Sequence, residues 1–140
     1  MITYRDIKTA IVKKLDDEFE IEIQSTDVIE GFHRPSFFVS FDNQNKSSNL
    51  DQIERSLTIR INYFPSDRYE YALEILDITE KLETVFDLKL PVLDRLININ
   101  EVQSVVTDGV LEFSFDIEFF DGKEVEEAEK MQELEIVRGE

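Results

Sequence analysis

Ile53-Glu54-Arg55-Ser56-Leu57-Thr58-Ile59-Arg60-Ile61-Asn62-Tyr63-Phe64 is the stretch on which the fold turns. Ile53, Leu57, Ile59, Ile61 and Tyr63 share one side of a period-two pattern, and Glu54, Ser56, Thr58, Arg60 and Asn62 share the other. Successive side chains of a strand point to opposite faces, so the pattern predicts one long strand, apolar on one face and wet on the other. Val110 to Phe120 repeats it, with Leu111, Phe113, Phe115, Ile117 and Phe119 opposed to Glu112, Ser114, Asp116 and Glu118. Asp108-Gly109 in front of it is a good two-residue hairpin turn. Five apolar side chains on one strand face are worth roughly 8–15 kcal/mol when buried, so both faces must be covered.

Two helical patterns supply the cover. Tyr4, Ile7, Ile11 and Leu15 fall on one face of a helix from about Thr3 to Asp17, with Thr3 able to cap it. Its other face carries Arg5, Lys8, Lys13 and Lys14, the one basic stretch of the chain. Past Pro65-Ser66-Asp67, where Asp67 and Glu70 resemble a capping box, Ala72, Ile75, Leu76, Thr79, Leu82 and Phe86 predict a second helix ending before Pro91. Further strands are expected at Glu20–Gln24, Ser36–Phe41, Leu96–Asn100 and Val102–Thr107, with loops at Val28–Pro35 and Asp42–Asn49. Helices do not alternate one-for-one with strands. The expected class is therefore α+β, a mostly antiparallel mixed sheet with both main helices packed on one face. Residues 1–122 make a single domain; residues 123–140, rich in Glu, read as an acidic C-terminal extension.

The 140 residues suffice for one domain with a real core, 41% hydrophobic with 11 Phe. Fifteen Lys and Arg against 32 Asp and Glu leave a formal charge of −17. That balance disfavours a sequence-independent grip on nucleic-acid phosphates and adhesion to anionic membranes, both of which need Lys and Arg. The absence of Cys removes disulfides, thiolate metal sites and cysteine nucleophiles together. No apolar run is long enough to span a bilayer, and the N-terminus lacks the apolar core of a signal peptide, so the expected compartment is cytoplasmic.

Chemistry-bearing residues are sparse. His33, the single histidine, lies in the loop Gly31-Phe32-His33-Arg34-Pro35. A lone loop histidine beside an arginine reads as a surface contact sooner than as a general base. No serine has a second histidine to activate it, no Gly-rich phosphate loop is present, and the acidic runs do not match a calcium loop. Neither an enzyme nor a cofactor or metal site is expected. The acidic row Glu112, Asp116 and Glu118 reads as a wet sheet face or, more sharply, as a wall that does not stick to a polyanion.

Three segments carry a resemblance. Ile2-Thr3-Tyr4-Arg5-Asp6-Ile7, Glu30-Gly31-Phe32-His33-Arg34-Pro35-Ser36-Phe37-Phe38-Val39 and Ile61-Asn62-Tyr63-Phe64-Pro65 together resemble the small tail-terminator (tail-completion) proteins. Those are proteins of prophages, contractile-tailed phages and phage-tail-like bacteriocins of Gram-positive bacteria. The resemblance implies a structural protein that caps the head-proximal end of a tail tube as a ring, usually a hexamer. It would stop polymerisation and form the surface to which head or neck docks. Its partners would be further copies of itself, the tube and sheath proteins and the neck proteins, with DNA only in passage and no membrane. It would be found in the host cytoplasm during assembly and then in the particle. Under that reading Arg5, Lys8, Lys13, Lys14, Phe32, His33 and Arg34 are candidate interface residues, and Glu112, Asp116 and Glu118 a candidate lumen face. The competing readings are an acidic monomeric binding module, such as a DNA-mimic inhibitor, and another neck or connector protein.

Overall fold

A computed structural model describes residues 2–24, 33–67 and 69–122. Two helices, α1 (Tyr4–Glu18) and α2 (Ala72–Val85), accompany six strands: β1 (Glu22–Gln24), β2 (Ser36–Ser48), β3 (Gln52–Phe64), β4 (Lys89–Val92), β5 (Arg95–Thr107) and β6 (Val110–Gly122). The strands form one mixed sheet in the order β1-β2-β3-β6-β5-β4. Only β1 and β2 run parallel; the other neighbours are antiparallel.

The two alternating stretches lie side by side at the centre. Leu57 faces Ile117, Ile59 faces Phe115 and Ile61 faces Phe113, so the apolar faces of β3 and β6 form one continuous surface. Ile7, Ile11 and Leu15 of α1 and Ile75, Leu82 and Val85 of α2 are buried in the same core as those strand residues. Both helices therefore cover the same face. Phe86, just past α2, packs 5.3 Å from the Phe115 ring, and Phe37 of β2 packs 5.0 Å from Phe19, just past α1.

The termini of α1 follow the local chemistry. Thr3 Oγ1 accepts from the Asp6 backbone N–H while Asp6 accepts from that of Thr3, a reciprocal capping box. The expected box at Asp67 and Glu70 is not the start of α2. Asp67 instead accepts from the backbone N–H groups of Tyr69 and Glu70, an Asx-type turn, and α2 begins at Ala72 with no side-chain cap. The turn at Asp108-Gly109 is as expected, with both residues at positive φ. Gly109 is needed twice over there: an added Cβ would also stand 3.1 Å from the Tyr71 ring.

Three further expectations are corrected. Asp42–Asn49 is not a loop: β2 continues to Ser48, paired with β3 on both sides of an irregularity. A bulge between Asp42 and Asn45, with Asn43 at φ 52, absorbs the irregularity. The two strands expected at Leu96–Asn100 and Val102–Thr107 are the single strand β5, with a register shift between Ile99 and Val102. Finally, Ala72 and Leu76 point to solvent, although the spacing had placed them on the buried face of α2.

Candidate assembly surfaces

The sheet face opposite the helices is open and polar. Asp42 of β2, Thr58 and Arg60 of β3, and Glu112 and Asp116 of β6 meet there because they share strand parity across three paired strands. Arg60 donates from Nε to Asp42 Oδ2 at 2.8 Å and from Nη1 to Glu112, tying β2 and β6 across β3. Thr58 Oγ1 donates to Asp116 Oδ1 at 2.5 Å and accepts from Asn43 Nδ2 at 3.1 Å; the bulge turns Asn43 onto this face. Glu112, Asp116 and Glu118 thus all lie on the open face. Arg60 partly neutralises the first, the second is hydrogen-bonded, and Glu118 is exposed.

At one end of this face Phe38 and Phe64 pack edge to face, 5.2 Å between centroids. Arg34 lies over the Phe64 ring, 5.5 Å from its centroid, and donates to the Pro65 carbonyl at 3.1 Å. Arg34 is therefore held by its own chain. His33 beside it is exposed, and its carbonyl accepts from Ser36 Oγ. Phe32, the aromatic member of this candidate set, lies outside the described residues.

The basic face of α1 divides in two. Lys13 is paired with Asp17 one turn on, at 2.9 Å, and this hydrogen bond raises its pKa. Lys14 reaches across to the Val85 carbonyl at the end of α2, at 3.3 Å. Arg5 and Lys8 are exposed and have no partner among the described residues.

Around α2, Tyr63 donates its hydroxyl to Glu74, which also accepts from Ser66 Oγ at 2.6 Å and Ser66 N at 2.8 Å. Burial pushes the Glu74 carboxyl up, but the Ser66 and Tyr63 hydrogen bonds outweigh it and hold its pKa below the ordinary value. Desolvation, and then the bond to Glu74, push the Tyr63 hydroxyl well above its ordinary range. This knot fixes the chain between β3 and α2.

Sequence reasoning missed the apolar surface. Leu73, Leu76, Leu88, Leu93, Leu96 and Phe120 are large, apolar and exposed. Helical spacing could have flagged Leu73, which falls off the face defined by Ile75 and Leu82. Leu88 and Leu93 flank β4, a strand that its Pro91 had hidden.

The family model described as phage tail terminator protein matches residues 6–129. The chain belongs to the phage tail terminator family. Its role is that of a structural phage-tail component, which interacts with other components of the tail. No curated protein matched the chain. No helix among the described residues is long and apolar enough to cross a membrane.

Proposed function

We propose that this terminator closes into a ring on the head-proximal end of the tail tube, stopping its polymerisation and presenting the surface to which head or neck binds. The observation that carries the reading is the family match over residues 6–129, nearly all of the described domain. The fold supports it in two ways. A ring is built from a head-to-tail contact, which requires two different surfaces on one subunit. The helix-covered side, with its unpaired cations, and the open acidic side differ in the manner such a contact needs. In addition, the open face offers an anionic lining. Six copies at −17 each carry −102 formal charges. Screening limits the reach of each charge to about 8 Å at physiological salt, so DNA on the axis of a wide bore is not repelled, only kept from adhering.

The reading is tested by electron microscopy of particles assembled without the chain. Tails of uncontrolled length, or of normal length but unable to join heads, are expected. Tails that end and join normally would overturn it.

A further inference from the structure

Among the described residues the sheet is left open along both of its sides. β1 covers the outer edge of β2 only at Ser36–Phe38, and β4 covers that of β5 only at Arg95–Asn98, with the Ile99 backbone N–H donating to the Leu88 carbonyl at 2.7 Å. No described strand lies outside β2 from Val39 or outside β5 from Asn100. Most side chains of both stretches are exposed, Val105 and Val106 among them at 55% and 48%. Strand edges are ordinarily guarded by charge, by proline or by being short. β1 and β4 are short, and β4 carries Pro91. Val39–Asn45 and Asn100–Val106 hold no proline, and their only charged residues are Asp42 and Glu101, in a chain that is 34% charged. Asp42 is already paired with Arg60.

These two edges fit each other. β2, β3, β6 and β5 are antiparallel in turn, so β2 and β5 run in opposite directions. Copies related by rotation about an axis along the strands therefore bring β2 of one against β5 of the next as an antiparallel pair. Keeping all helices on one side restricts the register to steps of two residues. Val39 and Phe41 share the helix-covered face of their partners Ile61 and Ile59, as Ser104 and Val106 share that of Phe113 and Leu111. The longest pairing that clears both β1 and the Leu88 carbonyl sets Val39 opposite Val106, Asp42 opposite Gln103 and Asn45 opposite Asn100. The irregularities agree with it. β2 has one residue more than β3 between Asp42 and Asn45, and β5 has one more than β6 between Ile99 and Val102. In this register the two bulges stand at the same height, so both strands bend together.

We propose that the Asn100–Val106 edge of β5 in one copy pairs with the Val39–Asn45 edge of β2 in a second copy, carrying the sheet from subunit to subunit. This rests on the ring reading and names its contact. Direction, face, length and bulge position together select the occupant. The two edges are opposite sides of one sheet and differ in sequence, so the contact repeats head to tail, as ring closure requires. The joined sheet keeps the open face on one side all the way round and the helices on the other. Val106 gains Val39 as its cross-strand neighbour, of the β-branched kind that stabilises such pairs.

The natural chain contains no cysteine, which makes the contact directly testable. Ser40 and Val105 are exposed and stand opposite each other in this register. Opposed residues of an antiparallel pair have Cα atoms about 4.5–5.5 Å apart, a span that a disulfide bridges. Ser40→Cys and Val105→Cys, made in separate full-length chains, are mixed and oxidised. A disulfide-linked heterodimer is expected, together with a ladder beyond the dimer when one chain carries both substitutions. Glu118→Cys, exposed on the same face but on β6 inside the sheet, is expected to give no product with Ser40→Cys. The backbone supplies a second arm. The two-residue turn at Asp108-Gly109 closes on the pair Thr107–Val110, so Val106 turns its N–H away from β6. Val106→Pro removes that donor and is expected to keep the circular dichroism of the folded chain while abolishing the product; Val106→Thr, which retains the donor, is expected to preserve it. Equal product from Glu118→Cys, a Val105→Cys homodimer in place of the heterodimer, full cross-linking of folded Val106→Pro, a ladder that stops at the dimer, or no product while the natural chain sediments as an oligomer would overturn the contact and leave the ring standing. A natural chain that stays monomeric both alone and on purified tails would overturn the ring, and the contact with it.

Discussion

Asp121 shows how much one buried charge can hold. It is 7% exposed, pairs with Arg95 at 2.6 Å, and accepts from the Ile2 backbone N–H, joining the start of the chain to the last strand. Arg95 also donates to the Phe120 carbonyl and lies over the Phe119 ring. Arg95→Ala strands the carboxylate, with an expected cost of about 2–3 kcal/mol; this is less than for a fully buried pair because the arginine is partly exposed. Denaturant unfolding checks it, and a change under about 0.5 kcal/mol would contradict it. Glu74 carries a pH signature. Its pKa is lowered in the folded chain, so its contribution is complete above the ordinary carboxylate range and is lost as pH falls through the folded value. Glu74→Gln is expected to cost about 1 kcal/mol at pH 7, and the difference from the natural chain to shrink below about pH 4. A difference independent of pH would count against that assignment.

At the scale of elements, β4 is the informative case. Pro91 lies in an edge strand, where a missing donor is tolerated, and the turns on either side place Leu88 and Leu93 at φ 65 and 56. A left-handed leucine costs roughly 1–2 kcal/mol, and glycine there loses roughly 0.5–1 kcal/mol in chain entropy. Leu93→Gly is therefore expected to leave the stability of the isolated chain unchanged, or to raise it by up to about 1 kcal/mol, as read from the denaturation midpoint. A clear loss would show that the exposed leucine is held by contacts of its own. The same strand marks the limit of sequence reading. β3 and β6 were legible because their faces differ in burial at every second residue. α1 was legible because Thr3 and Asp6 cap it and the apolar residues keep helical period. Asp42–Ser48 was not, because nothing local favours a strand there; β3, already fixed by its own pattern, supplies the hydrogen bonds that make it one. Leu76 was misplaced because α2 is apolar on more than the face it buries. Of the candidate site residues, Arg5 and Lys8 can be followed from sequence to an exposed surface without a partner among the described residues, whereas Lys13, Lys14 and Arg34 are engaged within the chain. That engagement depends on α2 and β3, and no spacing along the sequence reveals it.

For the whole molecule, the arrangement of charge outweighs its amount. Arg60 holds the open face together by standing between Asp42 and Glu112, so that acidic face is braced rather than bare. Replacing Glu112, Asp116 and Glu118 by Lys exchanges three negative for three positive charges on that face in each copy. Retention of duplex DNA is then expected at low salt, falling steeply as salt rises, because phosphate binding releases counterions. A gel shift with no retention at low salt would place the row away from any surface that DNA can reach. The central claim is that this terminator acts by forming a closed ring at one end of a tube. The most direct measurement is an image reconstruction of tail ends from particles that carry the chain. One closed ring of this fold at the head-proximal end, and none along the tube, is the predicted result; the chain distributed along the tube, or missing from that end, would contradict it.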